Sequence, residues 1–173
     1  GYAFDSKAFG QKGVPLIRIR DLKDGTTTET YFSGDFDAKY VVNSGDFLIG
    51  MDGEFGCYEW KGSPALLNQR VCRLQGFSVV LEPRFLFYGI NSHLKDIEAV
   101  TGYTTVKHLS SKQILEITMP TPPLPEQQRI VAILDQAFAA IATARAHAEQ
   151  NLQNARAVFD SHLQAVFSQR GDG

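Results

Sequence analysis

From Pro125 to Phe167 the chain carries neither Gly nor Pro after its opening proline. Apolar or small residues recur there by threes and fours, at Ile130, Leu134, Ala137, Phe138, Ile141, Ala144, Ala148, Leu152, Ala155, Phe159, Leu163 and Val166. That spacing predicts one long amphipathic helix. Pro122, Pro123 and Pro125 bar a helix from entering upstream, Pro125 suits a first helical position, and Glu126 lies near the positive end of the dipole. At about 1.5 Å per residue the helix would run roughly 65 Å, beyond the diameter of a domain built from the residues before it. The stripe therefore calls for a second helix, the alternative being that part of it packs on its own domain. Two successive spacings of four, at Ala144, Ala148 and Leu152, would unwind a coiled coil locally.

Ahead of the helix the pattern shortens. Leu16, Ile17 and Ile19, set against Arg18 and Arg20, predict a half-buried strand ended by the turn pair Asp24-Gly25. Residues 1–13 have no clear period and read as loop with at most a short strand, and residues 26–31 read as a polar connection. Val41-Val42 and Phe47–Ile49 flank Asn43-Ser44-Gly45-Asp46, which predicts a hairpin or a strand-turn-strand unit. The Gly-rich residues 50–76 close on a strand around Val71, Cys72 and Leu74. Glu82-Pro83 opens one or two short helices, and residues 101–117 read as a polar loop followed by a short strand. The expected fold is α+β (mixed α/β): a globular head over 1–120, a Pro-rich linker over 121–124, a long coiled-coil-forming helix over 125–168 and a tail over 169–173.

Composition narrows the function classes. The 173 residues are 43% hydrophobic and 21% charged, which suits one domain with an extension. Two cysteines are too few for a disulfide framework, and no secretory or membrane-spanning segment is visible, so a cytoplasmic protein is expected. Asp135, Arg145, Glu149, Arg156 and Asp160 break any apolar run in the helix. Net charge is −2, and residues 1–115 hold 13 basic and 13 acidic side chains, so a DNA surface would have to arise from local clustering.

Asp46 followed by Glu59-Trp60-Lys61 has the residue types of a metal-dependent nuclease, two carboxylates for a divalent ion and a lysine for the scissile phosphate. Its Gly-rich surroundings read as loop, whereas such ligands sit on adjoining strands. Thr121-Pro122-Pro123-Leu124 lacks the Asn or Asp and the aromatic that an amino-methyltransferase needs around its proline pair, and reads as a rigid linker. The glycines at 50, 53 and 56 match no phosphate-binding pattern, the four histidines are scattered, and no bound metal is expected. Two stretches hold residue types that contact DNA: Lys61, Asn68, Gln69, Arg70 and Arg73, then Tyr103, Thr104, Thr105, Lys107 and His108. Asn and Gln pair with adenine, Arg with guanine, and Lys, Thr or Tyr with phosphate. Each is equally readable as a solvated surface residue, and Arg18 and Arg20 as structural partners of Asp21 or Asp24.

Six segments occur in order: GYAFDSKAF, GVPLIRIRDL, VNSGDFLIGMDGEFG, LLNQRVCRL, TGYTTVKHLS and PLPEQQRIVAILDQ. Together they resemble one half of a specificity subunit of a type I restriction–modification system, over almost the whole chain. The resemblance implies that the head is a target recognition domain reading one part of a bipartite sequence in double-stranded DNA. It implies that the helix is the family's conserved region, which pairs with a like helix and docks the methyltransferase subunit, with a restriction subunit joining the assembly. The chain itself would be non-catalytic and hold no cofactor, S-adenosylmethionine belonging to the methyltransferase partner.

The chain departs from the family pattern in having one recognition domain and one helix where the usual subunit has two of each, and in beginning at the GYAFDS motif. It is expected to be either a natural half-subunit or a fragment, and as a half-subunit to pair as a homodimer through the helix. Ile130, Leu134, Ala137, Phe138, Ile141, Leu152, Phe159, Leu163 and Val166 are the candidate pairing residues. The alternatives are the nuclease above, a coiled-coil fragment that regulates assembly without its own specificity, and the recognition domain of a fused restriction and methylation enzyme.

Overall fold

Strand residues of this chain alternate so tightly between two interiors that most of its sheet surface is buried on both faces. The computed structural model describes residues 1–101 and 107–168. They form two units, the first ending at Gln128 and the second beginning at Arg129. In the first unit, β1 (Phe9–Gly10), β2 (Val14–Ile17), β3 (Tyr31–Phe32), β4 (Val41–Val42), β5 (Phe47–Gly50), β6 (Gly56–Glu59), β7 (Ala65–Leu67) and β8 (Val71–Arg73) make two sheets. Their orders are β1-β3-β2-β7-β4 and β6-β5-β8. The pairings are antiparallel apart from β2 with β7, which run parallel with Leu16 opposite Leu66 and Ile17 opposite Leu67.

Successive side chains of a strand point to opposite faces, and this period separates three clusters. Ile17, Leu67, Val42, Leu48, Trp60 and Val71 fill the space between the two sheets. Leu16 and Leu66, the alternate residues of β2 and β7, face a separate layer with Phe4 and Phe32. Phe47 and Ile49, the alternate residues of β5, face a third interior with Ile90 and Leu94 of helix α1 (Pro83–Val100) and Ile114 of helix α2 (Ser111–Leu115). Helix α1 also covers the edge strand β6. Asn91 accepts from the Cys57 N–H at 2.7 Å and donates to the Cys57 carbonyl at 3.3 Å, and Glu98 accepts from the Phe55 N–H at 3.0 Å. An edge that would otherwise offer unpaired backbone groups is thereby closed.

Several expected boundaries move for identifiable reasons. The strand predicted through Ile19 stops at Ile17, because Asp21 captures the Arg18 N–H at 2.8 Å and turns the chain into a 3-10 helix over Ile19–Asp21. Gly25 then sits at φ +66°, with its carbonyl accepting from the Lys61 N–H at 2.6 Å, a close approach that a side chain would obstruct. β4 and β5 are strand-turn-strand and not a hairpin, since each joins a different sheet. The Gly-rich stretch forms β6 and β7 ahead of the predicted β8. Residues 83–100 make one helix, and α2 replaces the short strand expected after residue 108. Ser110 and Gln113 form a reciprocal capping box that starts α2.

Helix α3 spans Leu124–Ser168, one residue longer at each end than its apolar stripe predicts. Its first turn lies in the first unit, where the Gln127 side chain is fully buried. In the second unit Phe138, Ile141, Leu152 and Phe159 are more than half exposed, Leu163 and Val166 more than a third, and Ala137 is exposed, while Ile130 and Leu134 are half-buried. Among the described residues no helix is long and apolar enough to cross a membrane.

Candidate nucleic-acid interface

The parallel pairing of β2 with β7 brings their C-terminal ends side by side, so the residues that follow each strand meet at one surface. After β7, the Asn68 carbonyl accepts from the Val71 N–H at 3.0 Å and the Asn68 side chain accepts from the Gln69 N–H at 2.9 Å. Asn at the first position of a turn makes this side-chain bond readily. The turn leaves Gln69 and Arg70 exposed at its tip. After β2, the turn closed by Asp21 leaves Arg18 and Arg20 exposed. These five residues, with Asp52, border a cleft of about 300 Å³. Three arginines and two amides around one acid form a local basic patch on a head that is neutral in bulk, the distribution that phosphate attraction combined with base-edge hydrogen bonding requires.

Asp52 is the structural centre of the cleft wall. Its Oδ2 lies 3.4 Å from Arg70 Nε and its Oδ1 2.6 Å from His108 Nδ1. Backbone bonds hold it on both sides, Met51 N–H to the Arg70 carbonyl at 3.0 Å, Leu109 N–H to the Met51 carbonyl at 2.7 Å and Gly53 N–H to the Lys107 carbonyl at 3.0 Å. Next to it, Glu54 accepts from Lys23 at 2.6 Å and Lys95 at 2.9 Å, and these two bonds hold its carboxyl down at about 2.

The predicted DNA-contacting residues divide on this geometry. Asn68, Gln69 and Arg70 lie together in the cleft, and His108 adjoins it through Asp52. Lys107 points its Nζ to the Glu98 carbonyl at 2.7 Å, near the C-terminal end of α1, where a cation meets the negative end of the dipole. Lys61 is elsewhere: β5 sets Gly50 opposite Val71 but Phe47 opposite Glu59, which separates Lys61 from Arg70 by roughly 20 Å along the strands. Arg73 is committed within the protein, donating to the Val41 carbonyl at 2.6 Å, the Lys39 carbonyl at 3.2 Å and Gln75 at 2.8 Å, with Asp46 at 3.3 Å. It fastens β8 of one sheet to β4 of the other. Tyr103, Thr104 and Thr105 lie outside the described residues.

Asp46 and Glu59 occupy adjoining strand ends, contrary to the loop expected around them, with Glu59 on β6 and Asp46 directly before β5. Each already has a guanidinium, Arg73 at 3.3 Å from Asp46 and Arg84 at 3.3 Å from Glu59, which competes with a cation for the same oxygens. Among the described residues no three His, Cys, Asp or Glu side chains gather in a metal-binding group. Arg18, Arg20 and Asp52 are the cleft residues that sequence reasoning left out. Only the pairing of β2 with a strand about 50 residues away assembles them, and nothing local encodes that pairing.

Comparison with known proteins follows the same lines. A family model described as the type I restriction modification DNA specificity domain matches residues 1–153. The chain is 42% identical over 152 residues to the EcoBI specificity subunit of a type I restriction enzyme from Escherichia coli, covering 87% of this chain and 32% of that one. It is 26% identical over 120 residues to the MjaVIII specificity subunit from Methanocaldococcus jannaschii, covering 69% and 28%. Among solved structures, the HsdS subunit from Thermoanaerobacter tengcongensis matches with a TM-score of 0.62 at 24% identity, covering 83% and 35%. A chain solved in work on assembly and conformational transition of the type I R-M system matches at 0.64 and 23% identity, covering 96% and 40%. Those two matches establish the mixed sheet-and-helix fold with its long C-terminal helix. The chain spans about a third of the length of the curated relatives it matches.

Proposed function

The chain belongs to the family of type I restriction modification DNA specificity domains, and from that premise we propose that it reads one part of a bipartite target in double-stranded DNA without catalysing any reaction itself. The observation that carries this reading is the cleft at the ends of β2 and β7, where Arg18, Arg20, Asn68, Gln69 and Arg70 present cationic and amide donors together on a head of zero bulk charge. Arginines anchor phosphates or guanine, and amides pair with adenine, so one surface supplies both affinity and sequence discrimination.

In this reading methyl transfer from S-adenosylmethionine and DNA cleavage belong to methyltransferase and restriction partners in the cytoplasm, and the chain directs them to the site. The exposed stripe of α3 supports a partner helix, since a contiguous apolar face of that length is costly to leave in water. A second copy of this chain supplies such a helix, and a twofold pair would favour an inverted repeat with a fixed gap. The test is sequencing of methylated positions in host DNA with the gene present and absent. A bipartite methylated motif that appears only with the gene is expected, and identical methylation in both hosts would sink the proposal.

A further inference from the structure

Resting on the reading of this cleft as a DNA surface, we propose that Asp52 is a positioning residue that fixes Arg70 to read a guanine, so that one base of the half-site depends on the Asp52–Arg70 pair. An acid is out of place on a surface built only to attract phosphate, because a carboxylate repels the backbone it faces. Its placement makes sense if what it supplies is direction. Asp52 faces one exposed side chain with each oxygen, Arg70 with Oδ2 and His108 with Oδ1. Its own side chain is 20% exposed, against 57% for Arg70. Bonds from Met51 and Gly53 pin the backbone before and after it, so the carboxylate is a fixed point and not a mobile surface charge.

The contact uses Arg70 Nε, leaving Nη1 and Nη2 with no acceptor among the described residues. Holding Nε fixes the plane of the guanidinium and aims the remaining fork outward. Two parallel N–H groups in a fixed plane match the O6 and N7 acceptors of guanine. Adenine sets a donor at N6 against one of them, cytosine offers a donor, and thymine offers one acceptor beside a methyl group. A phosphate would accept the fork in many planes and would not require the buttress.

The experiment uses the full chain assembled with its methyltransferase partner, and duplexes carrying the methylated motif or single-base changes of it. Wild type, Asp52→Asn, Arg70→Ala and the double variant are compared. Wild type is expected to prefer guanine at one position by about 10- to 100-fold. Arg70→Ala loses that preference and keeps the others, Asp52→Asn loses most of it at the same position, and the double variant behaves as Arg70→Ala does. Position-specific loss separates positioning from damage, because a loosened loop weakens every position alike. Full guanine preference in Asp52→Asn, uniform weakening across positions, or additive losses in the double variant would each overturn the proposal. Absence of any duplex preference in wild type would instead overturn the DNA reading, and this inference with it.

Discussion

Replacing Gln127 by leucine removes a hydrogen-bonding hub without changing the volume of the site. Gln127 is fully buried. Its Oε1 accepts from the Glu82 N–H at 2.8 Å, and its Nε2 donates to the carbonyls of Val80 at 2.9 Å and Pro122 at 2.7 Å. One side chain thus ties the segment before α1 to the first turn of α3. Each bond contributes about 1 kcal/mol net, and a partner left without replacement costs somewhat more. Because these bonds are only partly buried, water restores part of the loss, and three of them give about 3–4 kcal/mol. That is a large share of the roughly 5–15 kcal/mol that holds a domain folded, and for a unit of this size it lowers Tm by about 10–15 °C. Urea unfolding followed through Trp60, the single tryptophan and itself buried, together with calorimetry, measures both quantities. A loss below about 1 kcal/mol would refute the reasoning. Gln127→Glu should be worse at neutral pH, since a carboxylate would face the two carbonyl oxygens, and should recover as acid restores a donor.

Arg73→Met should cost about 2–4 kcal/mol by freeing the Val41 and Lys39 carbonyls and stranding Asp46. DNA preference should persist in the folded variant, whereas an unchanged Tm with lost preference would reassign Arg73 to DNA. Glu54 is held at about 2 by its hydrogen bonds with Lys23 and Lys95, below its ordinary 4.5. Its contribution is therefore present above pH 4.5 and disappears as pH falls toward 2. Glu54→Gln should flatten the acid limb of a Tm–pH profile over that window, most clearly at low salt, and identical limbs would contradict the pairing. Leu134→Asp combined with Ile141→Asp should give a monomer with a folded head by light scattering and circular dichroism, and a dimer that survives both changes would exclude pairing through this stripe.

The long helix was legible because its signal repeats: many residues of one stripe, bracketed by prolines, all report the same period. Strand positions were legible where apolar runs are flanked by turn residues, as at Val41-Val42 and Phe47–Ile49. Strand partners were not. Nothing around Asn43-Ser44-Gly45-Asp46 distinguishes a hairpin from two strands that part into different sheets. The 3-10 helix after Ile17 and helix α2 depend on single side-chain captures, Asp21 by the Arg18 N–H and the Ser110–Gln113 box, and the second of these carries a readable Ser-x-x-Gln signature. For the site, Asn68, Gln69 and Arg70 stand together in sequence and remain together in space. Arg18 and Arg20 join them only through a parallel strand pair of long sequence separation. Arg73 shows the converse, a residue of the right chemistry whose donors are consumed by the protein's own carbonyls.

The central claim is that the cleft at the ends of β2 and β7 reads DNA, and a salt titration of binding tests it most directly. Affinity for the motif duplex and for a scrambled duplex is measured across ionic strength, for wild type and for an Arg18→Ala, Arg20→Ala, Arg70→Ala variant, each assembled with the methyltransferase partner. Each lost phosphate contact should reduce the slope of log affinity against log salt by about 0.9. The account predicts a shallower slope and loss of preference for the motif in the variant, with Tm unchanged within a few degrees. A folded variant that keeps both the wild-type slope and the wild-type preference would contradict it.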